Sequence, residues 1–289
     1  MTREDKIMIS TTGNDLIFEV IPGNYALPGN QPANYTLVKG RRDALLVDVP
    51  FARSEAHRLI ARILDSGLEL RTIYISHDHP DHYFSLDLMT DTFPNAAVVA
   101  HPVVTKDIKR SIPLKFARWA EGLGANAPKR GVVPTPLDGN EIKLEGHPLQ
   151  IVGPMQGDHI RATALWDPDS RTLIAGDLLY NGVFVFLGEH TPAQWDAWIQ
   201  SLDYLESLNP ARIVAGHSKP GLPDDSFSIE WTRRYIQEFK KLAASGATAK
   251  EMADLLRARY PNAAGFPGTD FLLEVPTRVA TGEIEPWDE

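Results

Sequence analysis

Residues 76–82 read Ser76-His77-Asp78-His79-Pro80-Asp81-His82, placing three histidines and two aspartates directly behind the apolar run Thr72–Ser76. Imidazole nitrogens and carboxylate oxygens at this density are the donors a borderline cation takes. Any one of these histidines alone reads as part of a solvated polar loop. The arrangement H-x-H-x-D-H as a whole does not read as packing. The chain contains no G-x-S-x-G segment and no cysteine, so neither a serine elbow nor a thiol offers itself as the nucleophile.

With that motif the sequence resembles the metallo-β-lactamase superfamily. Further residues match the family pattern in order: His159 in MQGDHI, Asp177 in AGDLLY and His217 in VAGHS. The resemblance spans the chain from its first strands to His217. It implies an α/β fold, the αββα sandwich of two mixed β-sheets flanked by helices. It also implies a first metal held by His77, His79 and His159, a second held by Asp81, His82 and His217, and Asp177 bridging both. Two Zn2+ ions suit these donors, and iron or manganese would fit nearly as well. Such a pair lowers the pKa of a shared water and polarises the carbonyl or phosphoryl oxygen under attack, so the site supplies nucleophile and Lewis acid together.

The chain departs from the family pattern twice. Tyr83-Phe84-Ser85 stands where many members carry a glycine pair, and Gly157-Asp158-His159-Ile160 stands where G-H-T-x-G is usual. The carry-over takes His159 as the ligand and Asp158 as a solvated or orienting carboxylate, and the second departure weakens a glyoxalase II-like reading. By the same resemblance, a bridging Asp177 occurs in lactonases, thioesterases and phosphodiesterases, whereas true β-lactamases generally lack it. Tyr180 matches a tyrosine of acyl-homoserine lactonases whose hydroxyl helps bind the lactone carbonyl or its oxyanion; a core tyrosine in a strand is the alternative. Asp81, Asp177 and Tyr180 are thus the catalytic candidates. Asp48 in LLVDVP occupies the place of an aspartate that supports the metal loop. Of the remaining histidines, His57 reads as a surface residue, His101 and His147 as turn residues before proline, and His190 as structural or at the pocket mouth.

These residues need strands and helices to hold them. Leu16–Ile21 and Ala33–Gly40 read as an opening hairpin across a Pro-, Gly- and Asn-rich connection, and Ala44–Val49 as a buried strand. Ser54 is expected to cap a helix with the stripe Leu59, Ile60, Ile63 and Leu64. Further strands are expected at Ala96–His101, in EIKLEG, LQIVGP, TALWDP and TLIAGDLL, and at Arg212–Gly216. Thr191-Pro192 opens a helix, and Thr248 with Glu251 forms a capping box. Residues 103–130, with Ile108, Ile112, Leu114, Phe116 and Trp119, read as a helical cover over the metals. Tyr83, Phe84, Phe184 and Phe186 are expected to join it in an apolar pocket. Residues 225–289 read as a helical C-terminal region, and the whole of 1–289 as one domain.

The composition is that of a soluble protein, with 289 residues, 43% of them hydrophobic, and a net charge of −9. With no basic run, nucleic acid is not expected as a partner, and no stretch is long enough to span a membrane. A polar start without a signal-like apolar core predicts a cytoplasmic protein acting on a small-molecule substrate; self-association is left open. The leading reading is hydrolysis of an ester-like bond, a lactone or carboxylic ester first. Behind it stand a phosphodiesterase or nuclease, a thioesterase, a β-lactamase, a mononuclear iron thiol dioxygenase and a non-catalytic binding protein.

Overall fold

A computed structural model describes residues 16–23, 33–263 and 270–287. Its elements are β1 (Ile17–Pro22), β2 (Asn34–Lys39), β3 (Asp43–Val47), α1 (Arg53–Asp65), β4 (Glu69–Ile75), α2 (Pro80–Tyr83), α3 (Leu86–Thr92), β5 (Ala97–Ala100), α4 (Pro102–Leu123), β6 (Thr135–Pro136), β7 (Glu141–Leu144), β8 (His147–Met155), β9 (Ala162–Asp167), β10 (Thr172–Asn181), α5 (Pro192–Ser207), β11 (Arg212–Ser218), α6 (Phe227–Ala244), α7 (Ala249–Arg259) and α8 (Phe271–Ala280). The opening hairpin pairs β1 with β2 antiparallel; its expected connection lies largely outside the described residues.

Among the described residues the strands form two sheets, ordered β1-β2-β3-β4-β5-β6 and β11-β10-β9-β8-β7. Both are mixed: β3, β4, β5 and β6 run parallel, as do β10 and β11, and the other pairs are antiparallel. Successive side chains of a strand point to opposite faces, and the apolar ones here divide accordingly. Val38, Leu45, Val47, Tyr74, Leu165 and Ile174 pack between the sheets. Their neighbours Leu37, Leu46, Ile73 and Ile75 face α1, α3 and α4, while Leu173 and Ala175 face α5 and α6. The layers are therefore helix, sheet, sheet, helix, as the resemblance implies.

Local expectations need three corrections. The first helix begins at Arg53 behind Ala52, so Ser54 lies inside its first turn and caps nothing. The fifth strand stops at Ala100, because the His101 ring accepts from the Val103 N–H and starts α4. The cover helix ends at Leu123, and Leu114 within it is 57% exposed, turned away from the core. No helix among the described residues is long and apolar enough to cross a membrane.

Candidate metal centre

The donors converge where the strands of the two sheets end. His77, His79, Asp81 and His82 follow β4, with Pro80 at the first position of α2 turning the segment back on itself. Asp158 and His159 lie between β8 and β9, Asp177 on β10 and His217 on β11. Between Gly176 and Tyr180 the β10–β11 register shifts, a bulge of the kind that re-aims a side chain. Gly176 takes the positive φ of 51° that this requires. On the facing strand a methyl group at Gly216 would overlap Asp177 Oδ1 and lie 2.6 Å from the Gly176 carbonyl carbon. A bare backbone there makes room for the carboxylate. The Asn34 side-chain amide donates to the Ala215 carbonyl at 2.8 Å, joining the first sheet to the second beside the site.

The donor atoms lie at ligand-to-ligand distances. His82 Nε2 is 3.1 Å from Asp177 Oδ1, and His217 Nε2 is 3.0 Å from Asp177 Oδ2 and 3.4 Å from Asp81 Oδ2. His77 Nε2 is 3.6 Å from Asp177 Oδ2, and His79 Nδ1 is 3.0 Å from Asp158 Oδ2. Bonds of about 2.0–2.2 Å in tetrahedral array place ligand atoms ~3.3 Å apart, so these separations fit cations. Two groups stand out, His77 with His79, Asp158 and Asp177, and Asp81 with His82 and His217. All but the half-buried Asp81 are buried, yet His77 Nε2, His82 Nε2, Asp158 Oδ1 and Asp177 Oδ1 have no hydrogen-bond partner. Buried polar atoms without partners are costly unless a ligand or ion completes them.

Three of the imidazoles are oriented from behind. The Asp48 carboxylate accepts from His82 Nδ1 at 2.9 Å and from the Ser76 hydroxyl at 2.7 Å. With its proton given to Asp48, the Ser76 hydroxyl accepts from His77 Nδ1 at 2.9 Å. Glu189 accepts from His79 Nε2 at 3.0 Å. A carboxylate can only accept, so each contact fixes the tautomer and leaves the opposite nitrogen facing the cluster. Asp48 thus performs the supporting part expected of it. Sequence reasoning misses Glu189, because nothing in its neighbourhood in the chain marks it. The adjacent His190, which does draw notice in the sequence, is buried with its ring 5.5 Å from that of Trp198.

Charge is concentrated here. Burial opposes ionisation of Asp177, but the imidazoles of His217, His82 and His77 hold its carboxyl well below the usual range. Burial pushes Asp158 up to about 7, with His79 opposing and Asp177 adding to the rise. Glu189, in spite of burial, is held at about 2 by His79. Burial lowers His159 to about 3.

Among the candidates, His159 is not in either donor group; its Nδ1 accepts from the Arg161 N–H at 3.2 Å. Asp158, expected to be a solvated or orienting carboxylate, is 1% exposed and belongs to the first group. The loop backbone sets the direction of Asp158. The Asp158 N–H donates to the Asp177 carbonyl at 3.3 Å and the Gly157 N–H to the His159 carbonyl at 2.9 Å, which turns Asp158 inward. Tyr180 is buried, with its ring stacked 5.2 Å from His217; its hydroxyl donates to Asp158 Oδ2 at 2.7 Å.

An open cleft leads to the donors, the concave kind of place in which small molecules bind. His79, Asp81, Asp158, Asp177, Glu189 and His217 line its floor, and Phe51, Trp119, Phe186, Phe271 and Trp287 its walls. Of the four aromatics expected there only Phe186 is present; Tyr83, Phe84 and Phe184 belong to the core. The cover helix α4 is anchored to the metal loop through the buried Lys115, which donates to the Asp78 carbonyl and, at 2.8 Å, to Asp78 Oδ1.

Comparison with known proteins agrees with this architecture. Residues 28–217 match the model of the metallo-beta-lactamase superfamily, and the chain belongs to that superfamily. A metallo-beta-lactamase type 2 from Bacteroides fragilis is 22% identical over 214 residues, 73% of this chain and 78% of that protein. The structure of a metallo-beta-lactamase family protein from Thermus thermophilus matches with a TM-score of 0.63 at 22% identity, over 92% of this chain and 94% of its own. A metallo-beta-lactamase from Pontibacter korlensis matches with a TM-score of 0.55 at 15% identity, over 78% and 96%. At these identities the structural likeness speaks for the fold. Membership and the buried donor groups together define the class, a metal-dependent hydrolase.

Proposed function

We propose that the chain hydrolyses an ester-like bond in a small neutral substrate, a lactone or carboxylic ester first, with two cations held at the donor cluster. The observation that carries this reading is the junction of the buried, pre-oriented donors with an apolar cleft. Asp81, His82 and His217 would hold one cation, His77 and His79 begin the site of the other, and Asp177 lies between. Zinc is the first candidate for both, and when bound the ions supply a water acidified towards neutral pH and Lewis-acid polarisation of the substrate oxygen.

The chain's own residues bind, orient and exclude water. Asp48, Ser76 and Glu189 keep the imidazoles in the tautomer that presents a lone pair. Phe51, Trp119, Phe186 and Trp287 surround the cleft with apolar surface on which an acyl chain or ring can be buried. Tyr180 holds the Asp158 carboxylate, so its contribution is to position a floor group. No lysine or arginine lines the cleft among the described residues, whereas Asp81, Asp158 and Glu189 do. Phosphate recognition draws on cationic side chains as well as on metal ions, and the cleft offers a phosphodiester none of the former.

Purified protein should hold two transition-metal ions per chain, and a panel of lactones, esters, thioesters, phosphodiesters and β-lactams should show the highest kcat/KM on a lactone or ester. Chelation should abolish that turnover and re-addition of metal restore it. Preference for a β-lactam or phosphodiester would replace the reading. Oxygen consumption with a single bound iron would move the protein to the thiol dioxygenases.

A further inference from the structure

We propose that Asp158, and not the adjacent His159, is the third side-chain ligand of the first cation, which makes that position more oxygen-rich than a three-histidine site and shifts its preference towards manganese. The inference rests on the dinuclear reading above and adds to it the chemistry of one position.

Four observations carry it. Asp158 Oδ2 is 3.0 Å from His79 Nδ1 and Oδ1 is 3.9 Å from His77 Nε2, so one carboxylate faces both imidazoles at the spacing of a shared coordination sphere. Asp158 Oδ1 and His77 Nε2 are both buried and without a hydrogen-bond partner, the state of atoms whose complement is an ion. The remaining oxygen is already engaged, since the Tyr180 hydroxyl donates to Oδ2 at 2.7 Å. Ligating carboxylates are characteristically hydrogen-bonded in this way from outside the coordination sphere. The neighbouring His159 has its Nδ1 occupied by the Arg161 N–H at 3.2 Å. The Arg161 side chain is in turn gripped by Asp107 of α4, with Nη2 to Oδ1 at 2.8 Å, so the stretch that carries His159 is fastened to the cover helix.

The consequence for metal choice follows from ligand hardness. Imidazole suits zinc, copper and iron, whereas carboxylate oxygen suits manganese and magnesium better. With His77, His79, Asp158 and the shared Asp177, the first position presents two nitrogens and two carboxylates. The second presents two nitrogens, from His82 and His217, and the carboxylates of Asp81 and Asp177. The two positions are thus nearly matched in donor type, unlike a pair in which one is built on three imidazoles.

The test reads metal content, without reference to turnover. Wild type, Asp158→Asn, Asp158→His and His159→Ala would be loaded with an equimolar mixture of Zn2+ and Mn2+, dialysed and analysed by element, with circular dichroism confirming the fold. Wild type and His159→Ala should each retain two ions, and Asp158→Asn should lose one of them. Asp158→His should keep two ions and raise the ratio of zinc to manganese by ~tenfold or more, as expected when imidazole replaces carboxylate. Loss of an ion in His159→Ala, or full retention in Asp158→Asn, overturns the assignment while leaving the dinuclear reading intact. A wild type that retains no metal overturns both.

Discussion

Asp48 and His82, 34 positions apart in the chain, meet through a 2.9 Å hydrogen bond from His82 Nδ1 to Asp48 Oδ2, with Asp48 held at φ 62° to make it. Aspartate is among the few residues that tolerate this left-handed conformation. In Asp48→Asn an amide N–H would face His82 Nδ1 and favour the tautomer that protonates Nε2, the atom aimed at Asp177. The expected result is a 10–100-fold loss of affinity for one of the two ions, of the order seen when outer partners of ligating histidines are removed. Competition against a chromogenic chelator measures it. Wild-type affinity for both ions would show that Asp48 serves only the fold.

Tyr180→Phe should lower kcat/KM on the best ester or lactone by roughly ten- to a hundredfold, as when an outer partner of a ligating group is lost. Deleting the hydroxyl removes the donor to Asp158 Oδ2 while the ring remains stacked on His217, so the melting temperature should hold. Unchanged kinetics would assign Tyr180 to packing alone.

Trp287→Ala should raise KM for substrates with a long acyl chain and leave kcat unchanged. The Trp287 ring stands over the cleft beside Phe271 and Phe186, with the Arg118 guanidinium 4.5 Å from its centroid. Removing that apolar surface should cost roughly tenfold in KM, about 1.4 kcal/mol of binding. Short-chain esters should be affected least. An equal loss across chain lengths, or a fall in kcat, would mean that Trp287 acts on the floor of the site instead.

Asp167 gives the molecule an acid-sensitive point away from the donors of the cleft. Burial opposes its ionisation, but donors from Ser170 and from His147, at 2.8 Å, hold its carboxyl below the usual value. A depressed folded-state pKa contributes stability that is present above the unfolded value of about 3.9 and is lost as pH falls through the folded value. Asp167→Asn should therefore cost ~1–3 kcal/mol at pH 7, as for a buried charged acceptor, and the gap from wild type should be smaller at pH ~3. Urea unfolding at the two pH values checks this. A gap undiminished in acid would attribute the effect to shape rather than charge.

Gly216→Ala should damage folding and metal content together. The added methyl overlaps Asp177 Oδ1, so either β11 moves or the carboxylate leaves the cluster. A loss of ~1–3 kcal/mol is the usual cost of overpacking, accompanied here by fewer bound ions. Full metal content with normal stability would show that the strands have slack that their spacing denies.

Much of this is legible in the sequence because its signals are local. H-x-H-x-D-H concentrates four donors behind one strand, and the apolar runs in TIYIS and TLIAGD mark strands buried on both faces. What escapes depends on backbone direction. Asp158 and His159 are adjacent, and which of them turns inward is decided by the Gly157 and Asp158 amides pairing across the loop and to β10. Glu189 reaches His79 over 110 positions, a distance at which composition and period carry no signal. The helix start at Arg53 escapes because Ser54 has the preferred capping chemistry while Ala52 occupies the capping place. Phe271 and Trp287 of the cleft escape because α8 and the segment at Trp287 come from the far end of the chain.

The cleft is assembled from two sources. Most of its floor stands on strand ends and the tight loops that follow them, while its walls come from α4, α8 and the segments around Phe51, Phe186 and Trp287. Loop and helix walls tolerate replacement far better than residues locked into paired strands. Over evolutionary time the range of accepted substrates can therefore drift while the hydrolytic chemistry is inherited unchanged. The stretch from Phe186 to Glu189 is the exception, for it carries both a wall aromatic and the carboxylate that steadies His79. Lineages that remodel this stretch would have to trade selectivity against metal retention, and library designs that seek new substrates would do best to vary the other walls first.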